Sequence, residues 1–218
     1  MVSWQNIDTV LLDMDGTLLD LHYDNYFWLT HLPRRYADHH KVALEQAQQT
    51  IQQKVQQYAG TLQWYCLDHW SNLVDMDIPA LKREITHKIK PRPYTEQFLQ
   101  RLQQLKKNVV LITNAHPAGL KIKLDVTRID QWLNTVISSH EFRTPKEDGA
   151  FWQHLQHREA FDKRRSLFID DNIEVLRSAR DYGMEHLICI TKPDSQKAEK
   201  PSDEFVDICH FDTIMPDV

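Results

Sequence analysis

The segment Val10–Asp20, VLLDMDGTLLD, runs apolar residues straight into Asp13 and Asp15, two carboxylates two positions apart, and then breaks at Gly16. Carboxylates at the end of a buried run repel each other and desolvate badly unless a cation holds them. Three further polar clusters come later in the chain: Thr113-Asn114 and Asp170-Asp171-Asn172 end apolar runs, and Pro145-Lys146, after another such run, opens a helix. If the four converge, aspartate oxygens with few soft ligands select a hard cation, Mg2+, with Asp13, Asp15, Asp170 and Asp171 as the metal candidates. Lys146 adds a compact positive charge, and a threonine hydroxyl with turn N–H groups completes a cradle for a phosphoryl group. Asp13 is then the attacking carboxylate, forming an aspartyl-phosphate. Asp15, on a similar side of an extended backbone, protonates the leaving alkoxide and later activates water. Gly16 lets the chain bend away from that site.

Such residues converge when they end the strands of an open parallel sheet. Five β-branched, near-continuous apolar runs fit strands buried on both faces: 9–12, 109–113, 135–138, 166–169 and 187–191. Amphipathic stretches separate the later ones. TEQFLQRLQQLKK places Phe98, Leu99, Leu102 and Leu105 on one face, and NIEVLRSARDYG closes on Gly183. The alternation predicts a Rossmann-like, doubly wound α/β sheet. Residues 21–90 read as helical, with Leu44, Ala47, Ile51, Val55 and Tyr58 at helical spacing, and Leu67, Trp70 or Ser71, and Val74 in the next segment. The expected organisation is an α/β core of residues 1–20 and 91–218 with an all-helical insertion, 21–90, after the first strand. The tail beyond Pro193 is polar and carries no strong prediction.

Composition narrows the partners. A formal net charge of −5 argues against a nucleic-acid coat or a membrane-surface binder. No basic leader or membrane-length apolar run is visible, and three well-separated cysteines fit a reduced, cytoplasmic compartment. The twelve histidines show no H-x-x-x-H or C-x-x-C spacing and read as scattered surface residues.

The ordered pattern D-x-D-G-T, Thr-Asn, Lys and Asp-Asp resembles the haloacid-dehalogenase (HAD) superfamily, and the helical insertion resembles its C1-type cap. The resemblance implies Asp13 as nucleophile, Asp15 as general acid/base with its main-chain carbonyl on Mg2+, and Thr113 and Asn114 on the phosphate. It implies Lys146 steadying nucleophile and phosphate, and Asp171 with Asp170 completing the metal site. Asn172 stands where many members carry Ser or Thr. LLDMDGTLLDLHYDNYFW, LQWYCLDHWS, LITNAHP, TPKED and LFIDDN together resemble the bacterial GMP/IMP nucleotidase branch, which removes the 5′-phosphate of purine nucleotides.

Within the insertion, Asn25, Trp28, Tyr65 and Asp68 are the candidates to meet substrate. An aromatic at helical spacing packs a core more often than it binds, and Tyr26, Phe27, Trp64 and Trp70 are weighed in the same way. Arg143 is an anion contact or a solvated side chain. His116 before Pro117 reads as a helix start rather than a proton shuttle. Two other functions fit parts of the pattern: a phosphatase for sugar phosphates or other small phosphomonoesters, and a phospho-acceptor signalling module. The module's acidic pair precedes its acceptor along the chain, the reverse of the order here. Dehalogenation needs no protonated leaving group and leaves Asp15 without a task.

Overall fold

In the computed structural model, which describes residues 2–217, six strands form one parallel sheet. They are β1 (Thr9–Leu12), β2 (Asn108–Thr113), β3 (Thr135–Ser138), β4 (Ser166–Asp170), β5 (His186–Ile190) and β6 (Val206–Ile208), in the spatial order β3-β2-β1-β4-β5-β6. Val10, Leu11 and Leu12 are fully buried because β1 lies mid-sheet, with apolar clusters on both faces. The strand order reverses beside β1, between it and β4, and the carboxyl ends of strands at such a reversal frame the ligand crevice of this architecture.

Between β1 and β2 the chain is helical. It forms α1 (His22–Tyr26), α2 (Leu32–His40), α3 (Leu44–Tyr58), α4 (Leu62–Tyr65), α5 (Leu67–Val74) and α6 (Ile78–Arg83). A π-helical segment, Phe27–His31, joins α1 to α2. Pro33 has no N–H to return to the carbonyl four residues back, and the wider turn spans that gap. Ala47 and Ile51 are buried as their spacing predicts, whereas Leu44, at the first turn of α3, is exposed. Paired backbone segments close the neck of the insertion: Asp20 N donates to Lys90 O at 2.9 Å and Arg92 N to Leu18 O at 2.9 Å.

The remaining helices are α7 (Thr95–Gln104), α8 (Pro117–Thr127), α9 (Gly149–Arg158) and α10 (Ile173–Tyr182). Phe98, Leu99 and Leu102 of α7 are fully buried, each worth about 1.5–3 kcal/mol of apolar transfer. The tail is more ordered than its polarity suggests. β6 pairs with β5, Ile190 opposite Ile208, and Phe211 stacks on Phe98 at 4.5 Å. A three-residue edge strand is too short to leave a periodic signal. Among the described residues no helix is long and apolar enough to cross a membrane.

Candidate active site

Sheet register sets the first contacts. Leu12 lies opposite Leu111 on one side and Ile169 on the other, so Asp13 emerges beside Asp170 and one residue short of Thr113. Lys146, on the loop before α9, reaches back under the sheet end and is 2% exposed. Its ammonium lies 2.5 Å from Asp13 Oδ1 and 2.7 Å from Asp170 Oδ2. Asn114 holds that loop in place by accepting from Lys146 N at 2.9 Å, and Trp152 Nε1 donates to Lys146 O at 3.1 Å. Asn172 caps α10, accepting from Glu174 N at 3.0 Å, and its own N–H donates to Asp170 Oδ1 at 2.8 Å. The four predicted clusters therefore meet at one point.

This point has more negative charge than Lys146 can balance. Burial, opposed by Lys146, pushes Asp13 up to about 6. Burial, and then the charges of Asp170 and Asp13, hold Asp171 well above the carboxylate range. Asp13 Oδ2 is buried without a hydrogen-bond partner, and carboxylate oxygens of Asp13, Asp170 and Asp171 lie within 4.8 Å of one another. An orphaned buried oxygen in an all-oxygen donor set fits a hard divalent cation. Without a cation, a carboxyl at about 6 keeps its proton in the native state at pH values where the unfolded chain, near 3.8, has lost it. Each such group therefore removes stability as pH rises between those values. The gain in Tm when Mg2+ is added to EDTA-treated protein is expected to grow as pH rises through about 6, since protons and metal compete for the same oxygens. A gain independent of pH would contradict carboxylate ligation.

Gly16 sits at φ +94, and a Cβ there would fall 2.5 Å from Asp171 Oδ2. Gly16→Ala is expected to cost about 1–2 kcal/mol in backbone strain and to displace Asp171. Thermal melts with and without Mg2+ should show a lower Tm and a smaller metal-induced gain.

A second chain of charges escaped the sequence reading. Asp15 Oδ1 lies 2.6 Å from Lys123 Nζ on α8, which also binds Asp24 Oδ2 of α1 at 2.7 Å. Asp24 Oδ1 accepts in turn from Lys82 of α6 at 2.8 Å. Both lysines are 3% exposed, and Lys82 lies 4.5 Å from the centre of the Phe27 ring. Burial, opposed by Lys123, pushes Asp15 up to about 6. Burial works against ionisation of Asp24 too, yet Lys123 and Lys82 hold its carboxyl below the usual range. The sequence does carry a signal: Lys82 falls four residues after Ile78, and Lys123 three after Leu120, each on a buried helix face.

A cavity of about 680 Å3 opens above these groups, lined by Asp13, Asp15, Thr113, Asn114, Lys146 and Asp171 below and by Asn25, Trp28, Trp64 and Tyr65 above. Asn25 also donates to Asp194 at 2.6 Å, and Trp28 packs on Trp70 at 4.8 Å between ring centres. Tyr65 OH donates to Glu147 Oε1 at 2.7 Å, and Glu147 Oε2 accepts from Asn114 at 2.9 Å. Glu147, the neighbour of Lys146, is a further site residue that the sequence reading passed over. Asp68 is outside the lining and pairs with His116 across 3.5 Å. His116 Nδ1 accepts from Ala118 N at 3.3 Å, a helix start as its position predicts. Arg143 is exposed and outside the lining.

Sheet order, acidic cluster and buried lysine together define a haloacid dehalogenase-like hydrolase: the model of that family matches residues 7–183, and the chain belongs to it. The GMP/IMP nucleotidase YrfG of Escherichia coli strain K12 is 40% identical over 199 residues, which span 91% of this chain and 90% of that protein. The crystal structure of a HAD phosphatase from Thermococcus onnurineus matches with a TM-score of 0.80 at 16% identity, over 95% of this chain and 96% of that one. A magnesium-bound HAD hydrolase of Bacillus subtilis, YfnB, whose crystal structure reveals interdomain movement, matches at 0.68 and 15% identity, over 95% and 96%. At such identities the structural likeness concerns the fold alone.

Proposed function

We propose that this chain is a Mg2+-dependent phosphomonoester hydrolase that removes the 5′-phosphate of purine nucleotides, GMP and IMP among them. The observation that carries the chemistry is Asp13, which lines the cavity with Oδ2 buried and unpartnered while Lys146 fixes the other oxygen at 2.5 Å. The 40% identity to a GMP/IMP nucleotidase, extending through the helical insertion, supports the purine part. Asp13, Asp170 and Asp171, with the Asp15 carbonyl, would hold Mg2+, whose charge offsets that of the phosphate.

One carboxylate oxygen of Asp13 attacks phosphorus and the ester P–O bond breaks. The departing 5′-oxygen takes the proton of Asp15, whose pKa of about 6 suits an acid working near neutrality. Asp15 then removes a proton from water, the hydroxide adds to phosphorus, and the Asp13–phosphorus bond breaks to release phosphate. Lys146 stays ionised throughout, because Asp13 and Asp170 outweigh its burial and hold its pKa above the ordinary lysine value. Thr113, at the end of β2, offers its hydroxyl to the phosphate, and Trp28, Trp64 and Tyr65 offer faces to the base. Closure of the helices over the cavity keeps bulk water from the acyl phosphate. The three cysteines are unpaired, which suits a reducing cytoplasm.

A panel of phosphomonoesters, assayed by phosphate release with Mg2+ and with EDTA, tests this reading. GMP and IMP are expected to lead the panel, and EDTA to stop turnover reversibly. A preference for sugar phosphates would overturn the purine assignment and leave the hydrolase standing. Phosphorylation without turnover would place the chain among phospho-acceptors.

A further inference from the structure

The histidines and cysteines, unremarkable by spacing, are not all scattered. Cys66, His116 and His140 come from three separate places and bring their ligating atoms within 4.8 Å of one another. Cys66 lies between α4 and α5 of the insertion, His116 at the start of α8 after β2, and His140 in the turn after β3. His140 Nε2 is buried with no hydrogen-bond partner, a condition that a buried ring nitrogen rarely tolerates. Asp68 Oδ2 stands 3.5 Å from His116 Nε2, with its side chain largely in solvent. One thiol, two imidazoles and a carboxylate are the donor set of a borderline cation and not of Mg2+.

We propose that Cys66, His116 and His140, with Asp68 on the open side, form a second metal site for a divalent cation of the Zn2+ class. An ion there ties the helical insertion to the sheet and slows the opening that turnover requires. In a tetrahedral site the ligand atoms sit about 3.3–3.6 Å apart, so closure takes side-chain shifts on the order of 1 Å. The Asp68–His116 spacing of 3.5 Å already matches. Binding displaces the Cys66 thiol proton to solvent, and a cation on His116 Nε2 moves the ring proton to Nδ1, giving up the 3.3 Å bond from Ala118 N. Cys66 at present serves α5 only as a weak cap, accepting from His69 N at 3.5 Å. Asp68 and the solvent around it provide the entry path.

The test loads Zn2+, and Co2+ as its spectroscopic counterpart, onto the full chain in saturating Mg2+, which occupies the aspartate cluster and ignores thiolate. One equivalent of Zn2+ is expected to bind, with a thiolate-to-cobalt charge-transfer band for Co2+. Both should vanish in Cys66→Ser, which keeps the cap of α5 and full Mg2+-dependent turnover, and weaken in His140→Ala. Zn2+ should slow hydrolysis of a chromogenic phosphomonoester by the wild type and not by Cys66→Ser. Equal Zn2+ binding in Cys66→Ser, or a cobalt complex without the charge-transfer band, would overturn the site. Binding that leaves turnover unchanged would overturn the tie. The binding readouts stand whether or not the purine assignment holds.

Discussion

Asp13→Asn is expected to lower kcat by roughly 10^4- to 10^6-fold while the protein stays folded. An amide is no nucleophile towards phosphorus, so the first bond of the reaction does not form. The fold tolerates the change for a local reason. The asparagine carbonyl still accepts from Lys146, whose second partner, Asp170 at 2.7 Å, is untouched. Removing one charge also relieves the repulsion that raises Asp171. The Tm without metal should therefore not fall, which separates this loss of activity from unfolding. Phosphate release gives kcat, and mass spectrometry excludes deamidation back to aspartate. Wild-type turnover by the intact amide would remove Asp13 from the nucleophile's position.

Lys123→Met is expected to cost about 3–5 kcal/mol, because it strips the shared, buried cation from two half-buried carboxylates and leaves them facing each other. For a chain of this size that is a fall in Tm of roughly 6–20 °C. The effect on pH follows from the same geometry. Burial already raises Asp15, and Lys123 is the main group opposing it. Without Lys123 the acid form of Asp15 persists to higher pH, so the alkaline limb of kcat/KM moves upward. Lys123→Met combined with Asp15→Asn should recover much of the lost stability, since the second change removes the facing charge and leaves Asp24 paired with Lys82. Melting curves of the two variants and the pH–rate profile of Lys123→Met decide the matter. Neutral stability in the single variant would show that the lysine does not tie core to insertion.

The ends of the strands were readable one at a time. β1 announces itself through Val10-Leu11-Leu12, and Asp13, Thr113 and Asp170-Asp171 each end a local apolar run; Lys146, expected to open a helix, lies on the loop three residues before α9 begins. Burial on both faces of a parallel sheet imposes that pattern without reference to distant partners. Asn25, Trp28 and Tyr65 could be proposed from their place after the first motif and within the insertion, and they line the cavity. Asp68, three residues from Tyr65 and so on one face of an unbroken helix, lies outside the cavity and meets His116 instead. The helix is interrupted at the extended Cys66, between α4 and α5, and spacing across such a break says nothing about a shared face.

By itself, then, the order of residues determined the sheet, the helical run after its first strand and the acidic and polar residues that meet at the strand ends. Those follow from backbone periodicity and from chemistry carried by near neighbours. Tertiary structure alone decided how Lys82 and Lys123 are used, that Glu147 braces Tyr65 against Asn114, and that Cys66, His116 and His140 meet. A buried charge or an unpartnered ring nitrogen is tolerable only when its counterpart arrives from far along the chain. That arrival depends on how helices and sheet pack, which no local spacing encodes.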